Sequence, residues 1–299
     1  MSDEFITFVN MVIVPGGLMA IMFSLGLSLT VADFRRLIEA PRPVTAGLLG
    51  QLLVLPMLGT ALAVLFRLPP EMAVGLIILS VCPGGVTSNA VAFAARANVA
   101  LSVSLTAISS LVTVMTTPLL IGLALGFYYD GVNAPSLSIP DTIAQLFRMT
   151  ALPVALGMTI RWLLPKLATA LVPLLRPVSM LVLAFVIGFS VYVSAELVWA
   201  NIVTAGPAAW VLNVCAMAAG LVIARAFALD GRDTMTIGIE VGVQNATMAM
   251  FLSLTVLGSL ELAITPILYG VIMIVNAAIL VRLLRMPRVI ALLTRQDVQ

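Results

Sequence analysis

Of the thirteen Asp and Glu residues in this chain, twelve fall in polar connections or at the edges of apolar runs, and one does not. Glu240 sits in Gly238-Ile239-Glu240-Val241-Gly242-Val243-Gln244-Asn245, inside an otherwise apolar stretch. A carboxylate buried in hydrocarbon is disfavoured by at least ~2.5 kcal/mol unless it is protonated or paired. No Lys or Arg lies at a comparable depth, so a bound cation or a proton must neutralise it. Histidine is absent altogether, which removes the commonest transition-metal ligand and the usual proton shuttle together.

The groups that accompany Glu240 are neutral oxygens. Gln244 and Asn245 follow it directly, and a second polar island, Cys82-Pro83-Gly84-Gly85-Val86-Thr87-Ser88-Asn89, interrupts another apolar run. Ser102, Thr106, Ser109, Thr113 and Thr117 recur every three or four residues, which puts their hydroxyls on one helix face. Gln51 is a lone amide in a further run. Carboxylate, amide, hydroxyl and unwound backbone oxygens are the ligand set of a small hard cation. For most of the hydroxyl stripe, helix packing through small residues is the better account, and only Ser102 and Thr106 are put forward as ligands. Gln51 fits an interhelical hydrogen bond as well as a ligand.

The elements that must position these residues are membrane spans. Apolar residues make up 62% of the 299 and charged residues 9%, against roughly 25% charged in an average soluble domain. Mean hydropathy is +1.17. Stretches of about 20 apolar residues, enough to cross a ~30 Å hydrocarbon core, number nine: 5–29, 44–66, 72–95, 99–127, 143–164, 177–198, 205–229, 234–257 and 262–284. The N-terminal MSDEFITF has no positive region or small-residue cleavage site, so the first span is read as retained.

Net charge is only +2, but its distribution is lopsided. With nine spans, Arg35, Arg36, Arg42, Arg96, Arg161, Lys166, Arg176, Arg225, Arg232, Arg282, Arg285, Arg288 and Arg295 share one side, leaving Arg67 and Arg148 on the other. A span missed or invented would reverse every later loop. The bias therefore predicts a multi-pass protein of the cell (inner) membrane with its N-terminus outside and its C-terminus cytoplasmic.

Loops are short, and the longest polar connection, 128–141, has no room for a soluble domain. Helix cannot run smoothly through Pro83-Gly84-Gly85 in span 72–95, and the glycines around Glu240 interrupt span 234–257 at a matching place. Each break lies in the next-to-last span of its half. An inverted repeat that lacks its first helix accounts for this, with four spans in 1–127 and five in 141–285. Matched interruptions of this kind mark a transport site near the midplane. Two helices kinked for packing are the alternative.

At these residues the chain resembles the bile acid:sodium symporter family, whose signature stretches look like Cys82 to Asn89 with Asn98 to Ser102, and Ile239 to Asn245. The resemblance covers essentially the whole chain and implies an all-α polytopic membrane protein of the nine-helix form. A core domain (spans within 44–127 and 205–284) would carry two crossed broken helices beside a panel domain (5–29 and 143–198). It further implies one sodium site from Ser88, Asn89, Ser102, Thr106 and Glu240, and a second from Gln51, Glu240, Gln244 and the carbonyls of Val241 and Val243. Asn245 and the unwound Val86 to Thr87 backbone would face the substrate, an organic anion either bile-acid-like or a small carboxylate, with Asn276 as a further contact. Val86 stands where related sequences often carry a hydroxyl, so contacts there are expected from backbone alone.

The function that follows is sodium-coupled secondary transport, with two sodium ions as coupling ions and no cofactor. Expected partners are the anion, sodium and the lipid bilayer. No basic tract suits nucleic acid, and no obligatory protein partner is evident. Cys82 and Cys215 lie in apolar spans without metal or redox spacing. Proton coupling through Glu240 and an arsenite- or auxin-type carrier are the nearest rivals. An intramembrane enzyme would need a nucleophile with a base, or a metal centre, which a chain with no His and one deep carboxylate does not offer. A receptor or channel would bind or conduct without concentrative uptake.

Overall fold

Apolar runs punctuated by Pro and Gly fold almost entirely as helix in the computed structural model, which describes residues 3–129 and 134–284. Asp3–Phe8 leads into α1 (Val9–Ser28), followed by α2 (Val31–Glu39), α3 (Pro41–Leu65), α4 (Pro70–Val81), α5 (Val86–Ala94) and α6 (Val99–Tyr128). Then come α7 (Ile139–Leu163), α8 (Pro165–Val193), α9 (Ala195–Ala226), α10 (Gly231–Gly242), α11 (Ala246–Val256) and α12 (Leu260–Leu284). Among the described residues, α1, α3, α6, α7, α9 and α12 are long and apolar enough to cross a membrane. The bent pair Pro165–Leu175 and Pro177–Val193 makes a seventh if it is one span. The expected broken spans appear as separate short helices, α4 with α5 and α10 with α11.

The outer surface carries many exposed apolar side chains, and the polar side chains of the spans are buried among an apolar core, as suits a multi-pass membrane protein. Trp162 and Val203 are exposed at 77% and 81%, whereas Gln51, Ser88, Ser102, Thr106, Asn213 and Glu240 are buried. Of the basic residues used to orient the chain, Arg285, Arg288 and Arg295 lie outside the described residues.

The expected spans end at 198 and resume at 205, but the chain instead turns at Ser194, where α8 gives way to α9. Glu196 falls in the first turn of α9, where a carboxylate complements the positive end of the helix. Pro165, at the first position of α8, starts that helix well before residue 177.

Three helices share a local device. A π-helical turn, at Val9–Ile13, Gly50–Val54 and Phe147–Ala151, directly precedes a segment whose second residue is Pro15, Pro56 or Pro153. Proline lacks the N–H and crowds the carbonyl one turn back, and a wider turn makes room for it. Gln51 lies in one of these turns.

Glycine brings backbones together at several helix contacts, Gly157 and Gly220 among them. A Cβ at Gly157 of α7 would stand 2.6 Å from the Phe23 carbonyl and 2.7 Å from the Leu27 nitrogen of α1. One at Gly220 of α9 would stand 2.7 Å from the Ile237 carbonyl of α10. Small residues at such contacts are the usual means of close helix packing in lipid. Because Gly157 meets unyielding backbone, Gly157→Ala is expected to destabilise the protein by about 1–3 kcal/mol. Gly126→Ala, with nothing within 4 Å, should not. Unfolding in detergent, followed for both variants, measures the contrast.

Candidate functional site

The two helix breaks lie against each other. After α4 the chain is extended at Cys82, and after α10 it is extended at Val243. Gly84 and Gln244 form an antiparallel bridge, in which the Gly85 N–H donates to the Val243 carbonyl at 3.3 Å and the Asn245 N–H to the Pro83 carbonyl at 3.0 Å. Side chains satisfy most of the remaining carbonyls. Thr117 donates to Val81 O at 2.7 Å, Gln51 to Cys82 O at 2.8 Å and Gln244 to Val241 O at 2.7 Å. Gly242 O accepts from both Asn213 (2.8 Å) and Tyr269 (2.7 Å). Each break thus supplies the partners that hydrocarbon cannot.

Glu240, 1% exposed, projects from the last turn of α10 toward α5 and α6. Its Oε2 lies 2.7 Å from Ser88 Oγ and 2.7 Å from Ser102 Oγ, and Thr106 donates to its Oε1. Ser102 Oγ is also 2.8 Å from Asn89 Oδ1, and Ser88 Oγ is 2.6 Å from Gly85 O. Three hydroxyl protons are therefore shared among four acceptor oxygens, two of them on a carboxylate. Among the described residues no Lys or Arg forms an ion pair with Glu240. Gly84 carries no side chain because a Cβ there would meet Glu240 Oε1. The cluster is rich in oxygen, short of protons and negative, an arrangement that suits a hard monovalent cation or one further proton.

Beside it, Gln51 and Gln244 form a reciprocal amide pair, 2.7 Å from Gln51 Nε2 to Gln244 Oε1 and 3.2 Å in return. The structure therefore gathers Ser88, Asn89, Ser102, Thr106 and Glu240 into one group, and Gln51, Val241 and Gln244 into its neighbour. The Val243 carbonyl, expected among ligands, accepts from Gly85. It retains a second lone pair.

A narrow crevice of about 10 Å³ runs along the breaks, lined by Gly85, Val86, Thr87, Asn245 and Thr247, with Ile21 of α1 and Ser179 of α8 opposite. Asn245 Oδ1 caps α11 by accepting from the Met248 N–H at 3.0 Å, so the Nδ2 of the same amide is left over. That Nδ2 and the Thr247 hydroxyl are buried and have no protein partner, which is rare enough to need a reason. A cavity of about 250 Å³, lined by Leu25, Phe93, Val103 and Pro177 among others, adjoins the crevice at Val86 and Met180. Asn276 is not in the crevice lining; its amide donates to Asn213 Oδ1 at 2.8 Å. Thr117, Asn213, Thr247 and Tyr269 were not singled out as site residues by the sequence pattern.

Fold and site define a multi-pass membrane protein organised around two interlocked helix breaks. The chain belongs to the Sodium Bile acid symporter family, whose model matches residues 15–201. It is 32% identical over 237 residues to the probable chloroplastic sodium/metabolite cotransporter BASS1 of Arabidopsis thaliana, covering 79% of this chain and 58% of that protein. It is also 32% identical to the uncharacterized sodium-dependent transporter YocS of Bacillus subtilis, over 78% of this chain and 71% of YocS. The human ileal sodium/bile acid cotransporter is 28% identical over 87% of this chain and 74% of its own length. The chain thus spans little more than half the length of its plant relatives.

The amide pair makes a direct claim on stability. Gln51→Leu leaves the buried Gln244 amide and the Cys82 carbonyl short of partners. It should cost about 1–3 kcal/mol in an unfolding measurement.

Proposed function

We propose that this chain is a sodium-coupled symporter that imports an organic anion by alternating access. The observation that carries the reading is the buried, hydroxyl-ringed Glu240, a carboxylate with no cationic side chain against it among the described residues. One sodium ion binds among Ser88, Asn89, Ser102, Thr106 and Glu240. A second binds beside Gln51, Gln244 and the Val241 and Val243 carbonyls, with Glu240 supplying the formal charge of both. The ions replace the missing positive charge and hold the crossed breaks together.

The anion binds where the crevice opens at Val86 into the larger cavity, reaching Asn245 Nδ2, the Val86 to Thr87 backbone and the start of α5, whose positive helix end favours a carboxylate. Two unpartnered buried donors at one crevice wall support this placement. The broken helices count as spans, as does α8, which gives nine, with the N-terminus outside and the C-terminus in the cytoplasm of a cell carrying the protein in its inner membrane. The core then moves against the panel, formed by α1, α7 and α8, and exposes the crevice to each side in turn. The relatives' names, sodium/metabolite cotransporter and sodium/bile acid cotransporter, support the coupling ion and leave open which anion is carried.

In proteoliposomes, anion uptake should require sodium and fail with potassium or choline, and both Glu240→Ala and Glu240→Gln should abolish it. Uptake driven instead by a pH gradient would identify Glu240 as a proton carrier. Thr247→Val should weaken anion uptake roughly tenfold through the loss of one hydrogen bond to the substrate. Stabilisation by sodium alone should stay at the wild-type level in that variant.

A further inference from the structure

The end of α10 and the residue that follows it present successive carbonyls to different neighbours. Val241 O accepts from Gln244, whose amide is paired with Gln51, and Val243 O accepts from Gly85 of the first break. Both carbonyls therefore face the side where α3 and the first break lie. Gly242 O, between them, is turned the other way, toward Asn213 on α9 and Tyr269 on α12. Consecutive peptide planes share the two soft dihedrals of the residue between them, so fixing one plane restricts its neighbours.

The donors on Gly242 O are themselves locked. Asn213 and Tyr269 are fully buried, and Asn213 Oδ1 accepts from Asn276, which leaves its amide a single orientation. Gly242 must be glycine for this approach, because a Cβ would collide with Met217 of α9. Two donors on one carbonyl use both of its lone pairs. Gly242 O is thereby removed from the ion side and its neighbours are committed to it.

We infer that Asn213 and Tyr269 are positioning residues for the second sodium site: they hold the Gly242 carbonyl away from it and so keep the Val241 and Val243 carbonyls directed at it. Asn276 acts one step back, by orienting Asn213. The inference rests on the two-sodium reading above.

The test is a sodium titration of thermal stability on the purified chain, with potassium keeping ionic strength constant, for wild type, Tyr269→Phe and Asn276→Ala. Tyr269→Phe removes one hydroxyl and no volume, and should raise the half-saturating sodium concentration about five- to tenfold. Asn276→Ala should shift it less, in the same direction. Uptake by Tyr269→Phe should recover the wild-type maximal rate at saturating sodium, since sodium affinity and not substrate contact has changed. A lower sodium-free melting temperature with unchanged half-saturating sodium would overturn the inference and leave these residues as packing. A wild-type protein that sodium does not stabilise would sink the two-sodium reading itself, and this inference with it.

Discussion

A helix that stops inside hydrocarbon exposes backbone donors and acceptors that lipid cannot satisfy, at several kcal/mol for each group left alone. This chain interrupts two helices, and the rest of the site follows from how the interruptions are accommodated. Each break is the other's partner, through the pair of backbone bonds at Gly85 and Asn245. The remaining carbonyls recruit Thr117 from α6, Gln51 from α3, Asn213 from α9 and Tyr269 from α12. Four further helices are thereby tied to one point, so any movement of the breaks is felt across the core.

The same economy of partners sets the electrostatics. Glu240 spends its lone pairs on Ser88, Ser102 and Thr106, hydroxyls that also serve Asn89 and Gly85. Hydrogen bonds to neutral donors ease the burial of a carboxylate without cancelling its charge, and in a low-dielectric interior the residual charge acts strongly on any cation that enters. The crevice lies on the neighbouring stretch of the same breaks, at Gly85 to Thr87 and Asn245 to Thr247. In the proposed reading, ion and anion would organise the same few residues, and that shared backbone would couple one to the other.

Much of the site is legible in the sequence because its letters are out of place there. A lone carboxylate in an apolar run, two glycine-bearing polar islands and a hydroxyl every helical turn stand out against Leu and Val. The structure brings Ser88, Asn89, Ser102, Thr106 and Glu240 within hydrogen-bonding reach of one another, a grouping that comes from the family resemblance. Asn213 and Tyr269 escape the pattern, and Thr117 shows only as a member of the hydroxyl stripe, because their partners are backbone carbonyls, which no letter records. Asn276 is visible as a polar residue in a span, but its depth relative to Glu240 is set by helix packing, and it reaches Asn213 instead of the crevice. Thr247 matters only because its hydroxyl lacks a partner, a property of the fold alone. The expected spans 177–198 and 205–229 put a turn between them, whereas the chain turns at Ser194 and Glu196 and Asn201 lie in the first two turns of α9.

The central claim is that Glu240 and its ring of hydroxyls bind sodium. Equilibrium binding of radioactive sodium to the purified protein, with no anion present, tests it most directly. The account predicts saturable binding of two ions per chain, displaced by excess unlabelled sodium but not by potassium, and lost in Glu240→Gln. Binding that is absent in the wild type, or unchanged when Glu240 loses its charge, would contradict it.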